Sequence, residues 1–418
     1  MKYAFDAKRI VRNATGLGSY SRTLINSLSA ADADSQFLLY APDEGRDDLR
    51  NQIIQRPNVA FSYYSTSPTD GRVDGDSNNL PYGGRIGGGF SSLFPKSLRK
   101  AFWRSRGIVN DLQRDGVQLF HGLSGELPVG LRRAGIPGIV TIHDLIFLRH
   151  PEYYNPIDVF LYRRKFHATL REAERVVAIS ECTKRDILAY SDFPEDRIDV
   201  VYQSCGTRFR EEADAETKAE VRTRYHLPEH YILSVGTIEP RKNALLAVKA
   251  LKELLPYGGR SGGGFTSSPL HLVLVGRQTS YVRKEILPYA ERNGLTDRIH
   301  LLSDVPNHHL PAIYQQALCF VYPSRYEGFG IPIIEAIQSR LPVVAATGSC
   351  LEEAGGPDSL YVHPDDAEAL ASAILRSLPE TEGREQRIQR SLQYIQRFEN
   401  NDIAQQMLTE YDRCLHRS

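Results

Sequence analysis

Two short stretches hold the residues best suited to chemistry. In SVGTIEPRKN (234–243), Gly236 is followed by a turn at Pro240, and Arg241 and Lys242 then stand side by side before Asn243. In SRYEGFGIPIIE (324–335), a glycine-rich turn lies between two carboxylates, Glu327 and Glu335. Adjacent Arg and Lys at the end of a strand can neutralise a diphosphate leaving group, the guanidinium through paired donors and the ammonium as a point charge. Gly328 and Gly330 let the backbone approach a ligand closely. Ile331-Pro332 suits a helix opening, because the N–H that proline lacks would be unpaired there anyway. The free N–H groups around Phe329, Gly330 and Ile331, with the positive end of the helix dipole, then face an anion. The two glutamates would repel a phosphate if aimed at it, and are better suited to accepting hydrogen bonds from sugar or ribose hydroxyls. Each fragment alone has an ordinary reading: a strand-to-helix turn, or a solvated basic pair.

The elements that must position these residues are short β-rich runs alternating with helical patterns. Strands are expected at 37–41, 59–64, 117–121, 138–143, 176–180 and 199–203, and again at 231–236, 270–276, 298–303, 318–323, 342–346 and 360–363. Strand, helix, strand in steady alternation implies parallel sheets covered by helices on both faces. Two such series imply two doubly wound α/β domains. The charged stretch that begins at Cys205 separates them, giving domains at 1–205 and 206–400 with a last helix in 401–418, amphipathic and able to pack back on the N-terminal domain. Ligands of such sheets bind at the carboxyl ends of the strands, so function is expected in the loops that follow them. Asn243 is placed to cap the helix that starts at Ala244.

The totals narrow the classes. With 418 residues, 41% hydrophobic, and 51 basic against 51 acidic side chains, the chain reads as a soluble two-domain protein with no global field for nucleic acid. The start, MKYAFDAKRI, lacks an apolar signal core, and no apolar run is long enough to span a bilayer. Five scattered cysteines suit free thiols in a reducing cytoplasm. Oligomeric state is written in none of these features.

With these pieces in order, the chain resembles the retaining glycosyltransferases of family 4, whose GT-B architecture has two facing Rossmann-like domains with a cleft between them. EGFGIPIIE fits the family's E-x7-E motif at Glu327 and Glu335, and SVGTIEPRKN fits its diphosphate-binding segment. TIHDL (141–145), VVAISECTKRDI (176–187) and TGLGSYSRTL (15–24) also look like the family. Within it, TIHDL followed by FLRHPEYY is most like mannosyltransferases of bacterial polysaccharides. The resemblance implies that Arg241 and Lys242 hold the diphosphate, in a segment opened by Gly236. It implies that Glu335 binds the donor ribose and Glu327 the transferred sugar, with backbone amides at Phe329, Gly330 and Ile331 assisting. His143 would face that sugar from the N-terminal domain, and Gly16 and Gly18 would let the backbone approach donor phosphate or acceptor. From residues alone, a satisfied core histidine is the favoured reading of His143, which the family match reverses, and TGLGSY could equally be a Rossmann turn without ligand. The family's Leu-Pro-Glu run is here Leu351-Glu352-Glu353, without the proline, and its late tryptophan is absent after Phe398.

The implied reaction moves a hexose, mannose from GDP-mannose in the first instance, to a hydroxyl of a glycan or lipid-linked glycan. It retains configuration and needs neither metal nor cofactor. UDP-glucose or UDP-N-acetylglucosamine as donor, and a non-catalytic nucleotide-sugar-binding protein, are the alternatives. A Rossmann oxidoreductase lacks its third glycine, since Ser19-Tyr20-Ser21 stands there, and no cofactor lysine motif supports a phosphorylase. The segment 94–114 sets Lys96, Arg99, Lys100, Arg104 and Arg106 among Phe94, Leu98, Phe102, Trp103, Ile108 and Val109. It would suit either peripheral contact with the inner face of a membrane or packing on the N-terminal domain. The repeated LPYGGR-x-GGGF at 80–90 and 255–265 fits flexible surface inserts better than phosphate loops, because neither copy joins a strand directly to a helix.

Overall fold

The computed structural model describes residues 1–64, 95–203, 206–255, 269–379, 381–399 and 402–416. Both copies of the glycine-rich repeat lie outside these residues, apart from Leu255.

The chain forms two units, one of Met1–Ile179, Thr183–Gln203 and Asp402–Ser418, the other of Ser180–Cys182 and Ser204–Asn401. The first is built on β1 (Lys2–Asp6), β2 (Gln36–Ala41), β3 (Val59–Tyr63), β4 (Leu119–Gly122), β5 (Gly138–Ile142), β6 (Ala173–Ala178) and β7 (Ile198–Val200). These run parallel in the order β3-β2-β1-β4-β5-β6-β7. The second is built on β8 (Tyr231–Val235), β9 (His271–Val275), β10 (Ile299–Leu302), β11 (Cys319–Tyr322), β12 (Val343–Ala346) and β13 (Leu360–Val362), parallel in the order β10-β9-β8-β11-β12-β13. Each sheet reverses its winding once, between β1 and β4 in one unit and between β8 and β11 in the other. The carboxyl ends of those strands are where such sheets take ligands.

The alternation of strands and helices stands, with β1 as an addition. Its apolar stretch is only Tyr3-Ala4-Phe5 between charged neighbours, too short to register as a strand, yet it lies at the centre of its sheet with Ala4 and Phe5 fully buried.

Apolar side chains fill both faces of the first sheet. One face packs Phe5, Ile25, Phe37 and Leu39 against Met407 and Tyr411 of the last helix, Ile403–Leu415. His121 ties that helix down from inside. Its two ring nitrogens meet the Tyr411 hydroxyl and Thr141 Oγ1, each at 2.8 Å.

On the other face the basic segment departs from a single amphipathic helix. Lys96–Phe102 is α-helical, Trp103–Gly107 makes a π turn, and Ile108–Arg114 resumes the α-helix. Trp103, Ile108, Val109 and Leu112 enter the core, and the indole N–H donates to Asp111 at 2.7 Å. The continuous aromatic face imagined for a membrane is thus broken, since the extra residue of the π turn rotates Trp103 inward. Leu98 and Phe102 remain outside, 56% and 62% exposed.

In the second unit, Leu246, Leu251, Leu272, Val321, Val344 and Ile374 build one core beneath the loops of interest. Cys182, Cys319, Cys350 and Cys414 are buried free thiols.

Candidate active site

Arg241 and Lys242 form a single 3-10 turn, Pro240–Lys242, just beyond β8. Asn243 does not cap the next helix. It adopts a left-handed conformation (φ 57°), and its side-chain amide donates instead to the carbonyls of Pro323 and Pro364, at 3.1 and 2.7 Å. That clamp fastens the Arg-Lys turn to the loop leaving β11, where Glu327 lies.

Glu327 meets both cations. Its Oε2 is 2.9 Å from Arg241 and its Oε1 is 2.5 Å from Lys242. Ser324 donates a short hydrogen bond to Oε1, and Lys242 also donates to the Tyr322 hydroxyl at 2.7 Å. Arg241 spans further, to the Tyr326 carbonyl at 2.7 Å and Glu239 at 2.9 Å. Burial disfavours the Glu327 charge, but Lys242 and Arg241 overcome it and bring the carboxyl pKa down to about 2. The same pairing, against the same burial, holds Arg241 and Lys242 above their ordinary values. Glu327 therefore turns toward the cations rather than standing free for hydroxyls, and the three form one charged cluster.

Gly330 precedes the helix Ile331–Gln338, whose first turn holds Pro332. With φ at +143° and a would-be Cβ 3.0 Å from Ala354 Cβ, position 330 excludes larger residues. Phe329 is buried edge-on against Phe398, at 5.2 Å between ring centres. The Cys350 thiol donates to the carbonyls of Glu327 and Phe329, pinning the loop that carries the carboxylate. Gly236, at the end of β8, packs beside the Lys242 side chain. Glu335 lies apart from the cluster. It accepts from Tyr314 at 3.1 Å and is 3.8 Å from Arg208, and burial raises its pKa.

His143, Gly16 and Gly18 belong to the first unit. His143 follows β5 with both ring nitrogens engaged: Nε2–H donates to the Leu123 carbonyl at 2.9 Å, and Nδ1 accepts from Gln203 at 2.8 Å. Its ring packs edge-on against Tyr20, and burial brings its pKa down to about 4. Gly18 has a structural reason to be glycine, since a Cβ there would lie 1.8 Å from the Asn13 carbonyl oxygen. Gly16, at the head of the helix Gly16–Ala31, has open space where a Cβ would be.

The sequence reading missed the residues that hold Glu327 in place: Tyr322, Ser324 and Cys350. Ser324, three residues before Glu327 in a tight loop, was a legible signal. The Cys350 contact joins distant segments and left none.

Two all-parallel sheets of seven and six strands, with a charged cluster at a switch point, define the GT-B class. Sucrose-phosphate synthase from Thermosynechococcus elongatus shares the fold with a TM-score of 0.70 over 99% of this chain and 98% of that one, at 20% identity. Anabaena Alr3699/HepE in complex with UDP and glucose does so with a TM-score of 0.70 over 99% of each, at 16% identity. Residues 14–204 match Glycosyltransferase Family 4 and residues 218–394 match Glycosyl transferases group 1, and the chain belongs to this family. Among its relatives, O-antigen chain mannosyltransferase B of Escherichia coli is 28% identical over 412 residues, 98% of this chain and 99% of that protein. The O-antigen chain mannosyltransferase RfbU of Salmonella typhimurium is 27% identical over 268 residues, 64% of this chain and 67% of that one. Among the described residues, no helix is long and apolar enough to cross a membrane.

Proposed function

We propose that the protein transfers mannose from GDP-mannose to a hydroxyl of a glycan or lipid-linked glycan, retaining anomeric configuration, in the biosynthesis of a cell-surface polysaccharide. The observation that carries this reading is the Arg241–Lys242–Glu327 cluster at the switch point of the second sheet, beside the head of the helix Ile331–Gln338. As the bond from sugar to phosphate breaks, negative charge grows on the leaving diphosphate, and two preorganised cations with helix-end N–H groups offset it. When diphosphate oxygens take over Arg241 and Lys242, Glu327 becomes available to accept hydrogen bonds from hydroxyls of the transferred sugar. Glu335 is suited to the donor ribose. Two cations at the diphosphate position support transfer without metal or other cofactor; a strict need for Mn²⁺ or Mg²⁺ would sink that part. The choice of mannose rests on the mannosyltransferase relatives.

The same reading includes peripheral contact with the inner membrane face. Exposed Leu98 and Phe102 support it, together with exposed Ile157, Phe160 and Leu161, which are followed by Arg163 and Arg164 in the helix Pro156–Glu172.

A thermal-shift series with GDP, UDP and ADP, then the matching sugar nucleotides, is the first test. GDP and GDP-mannose should stabilise most, and the anomeric configuration of the product, read by NMR, should match the donor. Stabilisation by UDP alone would move the donor to UDP-glucose or UDP-N-acetylglucosamine. Donor binding without release of nucleoside diphosphate on addition of acceptor would mark a binding protein instead.

A further inference from the structure

The switch point of the first sheet carries a second charged cluster. Asp6 ends β1 and is buried. Its Oδ1 accepts from the Lys8 N–H at 3.1 Å, and its Oδ2 is 3.4 Å from Arg104 Nε. Arg104 continues to Glu126, on the loop after β4, and Lys165 meets the other oxygen of Glu126 at 3.0 Å. Asp6, Arg104, Glu126, Lys165 and Thr169 line a cavity of about 110 Å³.

The charges in this cluster do not balance. Arg104 and Lys165 pair with Asp6 and Glu126. Lys8 and Arg9 are both half-buried, and among the described residues neither has a carboxylate within ion-pair distance. Arg104 and Lys165 line the cavity, and Lys8 and Arg9, opening the short helix that follows Asp6, add two cations within electrostatic reach of them. Burial, then the charges of Arg104 and Arg9, hold Lys8 and Lys165 below the ordinary lysine value. The field of Arg9 also reaches His143. Uncompensated like charge in a partly desolvated pocket is costly, and an anion removes that cost. Neutral sugar hydroxyls would not.

We propose that Lys8, Arg9, Arg104 and Lys165 form an anion subsite that binds a phosphate or diphosphate group carried by the acceptor. All four residues belong to the first unit, whereas Arg241 and Lys242 belong to the second. Its assignment to the acceptor rests on the glycosyltransferase reading above.

The test uses the full chain saturated with GDP, which occupies the Arg241–Lys242 pair, and titrates inorganic pyrophosphate by calorimetry. Pyrophosphate should still bind, and the double variant Lys8→Gln/Arg9→Gln should weaken it tenfold or more while leaving GDP affinity unchanged. No pyrophosphate binding at saturating GDP, or equal affinity in the double variant, overturns the site. Both changed side chains lie outside the buried core, so the variant should fold. If GDP itself does not bind, the donor reading fails, and the pyrophosphate titration without nucleotide still decides the anion site. A second measurement ties the site to the acceptor. A glycosyl phosphate should show a KM at least tenfold below that of the uncharged glycoside, and the double variant should erase the difference. Equal KM values in the unaltered protein would leave the cluster a free-anion site and overturn its assignment to the acceptor.

Discussion

Glu327 neutralises the two cations that the proposed reaction needs, so its charge and its shape can be separated by substitution. Glu327→Gln keeps the side-chain size and removes the anion, leaving Arg241 and Lys242 without their principal partner. The variant should melt earlier than the unaltered protein, because unpaired charges at a buried site are costly. It should bind nucleoside diphosphate about tenfold more tightly and turn over at least about a hundredfold more slowly. Weaker nucleotide binding in this variant would contradict a competition between Glu327 and diphosphate. The buried histidines give a second residue-scale expectation. Burial lowers His121 to about 3 and His143 to about 4, against 6.5 for a free histidine. Between those values the unfolded chain binds more protons, so stability rises with pH through that window and is lost as pH falls below 6.5. Each group contributes about 1.4 kcal/mol per pH unit there. Melting temperature measured from pH 7 down to 5 should fall, with a shallower slope in His121→Gln. The chemistry of Arg241, Lys242 and Glu327 was legible because side-by-side cations and loop carboxylates leave a local trace. That Glu327 grips both cations was not, because β8 and β11 become neighbours only through the winding of the sheet. Asn243 shows the limit of local rules: a standard capping residue is drawn away by two distant carbonyls.

At the scale of elements, the basic segment contains two opposite roles a few residues apart. Leu98→Ser/Phe102→Ser should leave the melting temperature nearly unchanged and reduce sedimentation with anionic liposomes at low salt. Equal sedimentation would remove the membrane role of this helix. Trp103→Ala, one residue further on, should instead cost about 3–5 kcal/mol, as expected for a large aromatic lost from a core. The sequence pattern found both faces of this stretch but not the π turn that divides them, because an inserted residue has no signature in hydrophobic spacing. The other strands were legible for a physical reason. Those of a parallel sheet are buried on both faces and read as continuous β-branched and leucine runs. β1 escaped because three apolar residues are too few to show such a run.

For the whole molecule, the edge of a sheet at which a connection lies decides what that connection can affect. The helix Ala244–Leu254 precedes β9 in the chain, with residues 256–268 between them outside the described residues, while Arg241 and Glu327 follow the carboxyl ends of β8 and β11. Shortening the chain at 256–268 should leave nucleotide affinity within about twofold, as helix-to-strand connections tolerate changes in length. Loss of binding in a folded variant would show that the connection serves the site.

The last helix also has a consequence for the order of synthesis. A ribosome completes residues 1–203 long before it reaches Met407 and Tyr411, so the sheet of the first unit emerges with one apolar face covered only in part, by the helix Gly16–Ala31, and with His121 lacking its hydroxyl partner. The second unit, apart from three residues, is continuous in sequence and is whole first. Domains made early usually fold early; here that order should reverse. A released chain truncated after Asn401 should show protease resistance in the second sheet and cleavage within the first sheet, leaving the last stretch of translation to close a domain begun at the first methionine.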